Sequence, residues 1–171
     1  MSAMTSSQSS RLVLTLVMTG LALVALVLNA LPLAPASAIR WTPSVPLILL
    51  FYWAVHRPEI FPRWLAFLMG LGQALLSGGP LGLWALVYTC VYEGAVSNRM
   101  FFVGRAAYSS LAGFALAAAA AAAIAWVIAS LYFWRGMSPL PVAGHMRVTV
   151  LVYPFLAWFL SIIDRLLGGE R

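Results

Sequence analysis

Leu12–Leu31 reads LVLTLVMTGLALVALVLNAL, an apolar run interrupted only by Thr15, Thr19, Gly20 and Asn29. It follows Arg11, and it is long enough to cross a bilayer, which takes about 20 apolar residues per helix. Ala36-Ser37-Ala38 downstream imitates a signal-peptidase site. Signal h-regions run only about 7–15 residues, so this segment reads as a retained span rather than a cleaved leader. The rest of the chain behaves the same way. Of 171 residues, 63% are hydrophobic and 8% are charged. Soluble domains carry about 25% charged residues, so the charge here is too sparse to cover a surface facing water. The apolar excess has to face lipid.

Five further apolar segments follow: 45–55, 64–76, 81–96, 106–133 and 146–163. Prolines 32, 35, 43 and 46 make the first connection extended or turned. Pro46 can occupy the first turn of the second helix. His56, Arg57, Pro58, Glu59, Pro62 and Arg63 form a polar turn, and Ser77-Gly78-Gly79-Pro80 is a helix stop and restart. Segments 45–55 and 64–76 are short for spans, and a re-entrant hairpin is an alternative for them. It would put Arg57, Glu59 and Arg63 near mid-bilayer at about 3 kcal/mol per charge, whereas tilting or thinning accommodates a short span for less. The expectation is therefore an all-α integral membrane protein with about six transmembrane helices. It comprises a disordered N-terminus over 1–10, one membrane domain over 11–165 and a tail over 166–171.

All ten basic residues are arginine, scattered singly between the spans. That scatter suits helix-end anchors rather than a nucleic-acid stripe. With six crossings, seven arginines (11, 57, 63, 99, 105, 165 and 171) share a side with both termini, and three (40, 135 and 147) lie opposite. Basic loops stay cytoplasmic, so both termini are expected in the cytoplasm of a bacterial inner membrane.

Residues suited to chemistry are few. Glu93 is the one acidic side chain well inside an expected span, and an intramembrane carboxylate is a functional hypothesis by default. It can bind a cation, relay a proton or pair with an arginine. The plainer reading has it reaching the interface one turn from the helix end, near Arg99. Gln73 and Asn29 are suited to hydrogen bonding across helices, for about 0.6 kcal/mol. Glycines 70, 72, 78 and 79 permit close backbone approach and a sharp turn before Pro80. Gly113, Ala117, Ala121 and Ala125 place small side chains on one face of the fifth span, a pattern of tight helix packing. Cys90, the only cysteine, allows no intrachain disulfide and reads as a packing residue. His56 and His145 fall on opposite expected sides and share no metal. Neither a catalytic motif nor a cofactor motif is visible, so no enzyme and no cofactor is expected.

One likeness is specific. SVPLILLFYWAVHRPE over 44–59, followed by GLGQALLSGGPLGLWAL over 70–86, resembles the rod shape-determining protein MreD family. That family shows a Pro-led apolar helix ending in Tyr-Trp-Ala, an Arg-Pro-Glu turn and a Gly-rich Leu-Leu-Ser-Gly-x-Pro-Leu-Gly segment. Ala74 departs from it, standing where an acidic residue is common. The resemblance implies a non-catalytic part in cell elongation and side-wall peptidoglycan synthesis. The implied partners are an MreC-like protein, MreB, RodA and a penicillin-binding transpeptidase. It also implies a fold similar to the S-components of energy-coupling-factor transporters. On it, Arg57, Glu59, Ser77, Gly78, Gly79, Pro80 and Gly82 become the candidate partner-binding residues. The alternative is an S-component-like subunit binding a vitamin or lipid-linked molecule, with Trp41, Tyr52, Trp53, Trp84, Tyr88 and Tyr92 as candidate pocket aromatics.

Overall fold

Helix α2 (Val45–His56) is buried from Pro46 to Val55 on every face. A helix that is apolar all round belongs inside a protein or in lipid, and here other helices surround it. The computed structural model describes residues 2–30, 42–78, 80–102, 107–134 and 140–167, and among these it contains helices and no strand. The other helices are α1 (Ser2–Ala30), α3 (Arg63–Ser77), α4 (Leu83–Ser97), α5 (Arg99–Phe102), α6 (Ala107–Phe133) and α7 (Leu140–Leu167).

Two stretches of 24 residues, Ser109–Tyr132 and Val142–Arg165, are long and apolar enough to cross a membrane. At 1.5 Å per residue each reaches about 36 Å, beyond the roughly 30 Å hydrocarbon core. Helix α2 is far shorter, and its length is tolerable because protein, not lipid, surrounds it. The Ser/Thr-rich start of the chain departs from expectation. Residues 2–10, expected to be disordered, continue α1 as helix. Nucleation is the costly step, and each residue added to an existing helix gains a hydrogen bond.

Four contacts set the chain directions. The Ser44 amide donates to Thr149 Oγ1 at 3.0 Å, joining the start of α2 to the first half of α7. Arg57 Nε lies 3.1 Å from Asp164 Oδ1, joining the ends of the same two helices. Helices α2 and α7 therefore run parallel. Arg63, opening α3, lies 3.5 Å from Glu93 near the end of α4, so α3 and α4 form an antiparallel pair with α4 ending at the same charged end. Leu26, near the end of α1, touches the Gly72 position in the second half of α3, which puts the end of α1 away from the charges.

The core is aromatic where α2, α6 and α7 meet. Phe114 stacks on Tyr153 with ring centroids 4.2 Å apart, and Phe51 meets Phe114 edge-on at 5.3 Å. The Tyr153 hydroxyl shares a 2.6 Å hydrogen bond with Ser110, giving this buried phenol the partner that burial requires. Helix α3 packs on α4 at near-backbone contact. A Cβ at Gly70 would collide with Ala85 Cα and Trp84 O, the close approach that small residues allow in membranes.

Candidate functional site

The 57–62 turn is short, and its backbone closes on itself. The Arg57 amide donates to Trp53 O at 2.8 Å, and the Ile60 and Phe61 amides both reach Arg57 O at 3.1 Å. Phe61 is the anchor. It is fully buried, its ring lies 5.5 Å from Trp53 and 6.2 Å from Tyr92, and its carbonyl accepts from the Tyr92 hydroxyl at 2.7 Å. No reading of the sequence singled out Phe61, because a lone Phe in a polar turn carries no signal of its partner 31 residues away.

Two ion pairs flank this turn. Arg57 and Asp164 are partly buried, with side chains 29% and 21% exposed. Arg63 and Glu93 are more open, at 76% and 44%. Glu93 is paired with Arg63 on the neighbouring helix. Glu59 is exposed and has no ion pair among the described residues. Asp164 is a residue that sequence reasoning passed over.

The glycine-rich segment lies elsewhere. Ser77 ends α3, Gly78 takes φ +66° and Gly82 takes φ +93° at the start of α4. Both angles lie in the left-handed region, which glycine adopts without steric cost. The Leu83 amide closes the turn on Pro80 O at 3.3 Å; Gly79 falls outside the described residues. Helix α3, about 22 Å long at 1.5 Å per residue, separates this turn from Arg57 and Glu59. The candidate partner-binding residues therefore form two surfaces at opposite ends of α3, and a single local contact cannot engage both.

The polar residues within the helices differ in setting. Gln73 is 7% exposed, and its Oε1 has no hydrogen-bond partner among the described residues. Ala74 beside it is buried, so a methyl group stands in packed surroundings where the resemblance implies an acid. Asn29 sits half-buried one residue from the end of α1. Of the candidate pocket aromatics, Tyr52, Trp53, Tyr88 and Tyr92 are core residues and Trp84 is half-buried; Trp41 lies outside the described residues.

An open groove of about 390 Å³ runs between α4 and α6, with α5 at one end. Its walls are apolar, and Asn98 is the one polar amide among its lining residues. Gly113 and Ala117 of the small-residue stripe lie on its floor, and the Phe102 ring covers Gly113 so closely that a Cβ there would strike it. Ala121, by contrast, is buried in the core. Cys90, expected to pack internally, is exposed on the groove wall. The spacing of small residues cannot separate a face that meets a neighbour from one left open.

Comparison with known proteins gives one result. The family model described as rod shape-determining protein MreD matches residues 9–162. No curated protein and no solved structure matches the chain. The matched stretch takes in α2 to α6 and most of α1 and α7, together with both turns that bracket α3. The chain belongs to the rod shape-determining protein MreD family, and with that membership comes a role in rod-shape determination.

Proposed function

We propose that this chain is a non-catalytic inner-membrane scaffold of the cell-elongation machinery. It crosses the bilayer six times with both termini in the cytoplasm, and it holds side-wall peptidoglycan synthesis in place through an MreC-like partner together with MreB, RodA and a penicillin-binding transpeptidase. The observation that carries the reading is the family match over residues 9–162.

The packing supports scaffold over transporter subunit. A small-molecule site is concave, with a few convergent polar groups. Here the centre of the molecule is filled by α2, and four of the six aromatics offered for a pocket, Tyr52, Trp53, Tyr88 and Tyr92, are spent on the core. The directions of the helices support the topology, since Arg57, Arg63, Glu93 and Asp164 share one end. That end is the arginine-rich side in the six-crossing plan. Short spans α2 and α3 then need no mid-membrane charge.

The two ends of α3 have separate roles in this mechanism. The 57–63 turn, with Glu59 and the exposed Arg63, is the cytoplasmic contact, and the Ser77–Gly82 turn is the contact on the far side. Coupling between them is mechanical, through α3 clamped on α4. Affinity capture of the tagged protein from solubilised membranes tests the reading. An MreC-like protein co-purifies with the wild type, and Ser77→Trp reduces its yield several-fold while the protein stays folded. Capture without any elongation protein would overturn it.

A further inference from the structure

The groove between α4 and α6 is apolar along its walls and carries its one polar amide, Asn98, at one end. Gly113 and Ile124 lie at opposite ends of its α6 wall, about 16 Å apart at 1.5 Å per residue. That length of apolar wall, open along one side, accommodates a hydrocarbon chain. Its lining contains no acidic residue.

Polarity is confined to one end. Asn98 caps α4, giving one amide hydrogen to Gly94 O at 2.9 Å; the second hydrogen on the same nitrogen is spare. Arg99 follows it, exposed and without an ion pair among the described residues. This is the end at which α4 carries Glu93, already neutralised by Arg63. An exposed arginine next in sequence to a lining amide with a spare donor, at the polar end of an apolar groove, complements a phosphate joined to an acyl chain. Guanidinium groups bind phosphate through charge-assisted hydrogen bonds, and anionic lipids attract basic groups at the membrane surface.

We propose that the α4–α6 groove binds one anionic phospholipid, its acyl chain lying along Gly94, Ala117 and Ala120 and its phosphate at Asn98 and Arg99. The lipid completes the α4–α6 surface. This site is independent of which proteins the scaffold assembles.

Native mass spectrometry of the full-length protein in detergent, with phosphatidylglycerol and phosphatidylcholine supplied at equal concentration, tests the proposal. The wild type retains one phosphatidylglycerol at least fivefold over phosphatidylcholine. Arg99→Gln brings that ratio near one, and Ala117→Leu with Ala120→Leu reduces retention of both lipids at least fivefold. The site-specific readout uses the wild type alone, because Cys90 is the only thiol and lines the groove. Phosphatidylglycerol slows its alkylation by N-ethylmaleimide at least threefold, and phosphatidylcholine does so less. Equal retention of the two lipids, or a Cys90 rate indifferent to phosphatidylglycerol, overturns the proposal even if the groove-filling variants fail to fold.

Discussion

Gly70 has no room for a side chain, since its missing Cβ would lie inside the backbone of Trp84 and Ala85. Overpacking of this kind costs about 1–3 kcal/mol, so Gly70→Ala is expected to lower stability by that amount in denaturant titration of the detergent-solubilised protein. Gly20, with open space around it, is the control. Its replacement by Ala is expected to be neutral or to stabilise by about 0.5–1 kcal/mol, through helix propensity. The ion pairs should separate in the same way. A double-mutant cycle on Arg57 and Asp164, partly buried and 3.1 Å apart, is expected to give a coupling of about 1–2 kcal/mol. Exposed pairs give about 0.2–1 kcal/mol, and the more open Arg63–Glu93 pair is expected at the bottom of that range. At this scale the sequence was partly legible. Gly70 and Gly78 were legible, since both belong to the glycine series before Pro80 that permits close approach and a sharp turn, Gly70 within α3 and Gly78 at its end; Gly82 was not part of that series. The partner of Arg57 was not legible, because Asp164 is remote in the chain and nothing local ties the two.

Helix α2 differs from its neighbours in what surrounds it. Pro46 to Val55 are all buried, whereas α7 turns Leu151, Phe155, Trp158 and Phe159 outward. Leu50→Ala is expected to cost about 2–5 kcal/mol, the range for a core Leu. Leu151→Ala, on the outer face, is expected to stay within about 0.5 kcal/mol. Labelling by a lipid-borne carbene checks the same distinction without mutation: it should mark α6 and α7 and leave α2 unmarked. Composition cannot distinguish these helices. Protein core and lipid both demand an apolar face, so a helix apolar all round is read alike in either. Apolar segments are therefore visible in the sequence, while the central place of α2 is not. The groove is hidden for a related reason, since alanines 117 and 121 have the same side chain, yet Ala121 is fully buried and Ala117 only partly.

The whole molecule has a filled centre, a charged end and a glycine-rich end, with α3 running between the two, and the proposed topology puts lipid outside. Fusion reporters placed after residue 171 and ahead of residue 1 should both report cytoplasm, and a reporter inserted in the turn at 78–82 should report the far side. Signals from opposite faces for the two termini would remove the six-crossing plan.

Depletion of the chain from its native host, followed by cell-width imaging, tests the role in rod-shape determination. Cells are expected to lose their rod form and widen toward spheres as the protein is diluted, with width restored on re-expression. Rods of unchanged width, with impaired uptake of a single nutrient instead, would contradict it.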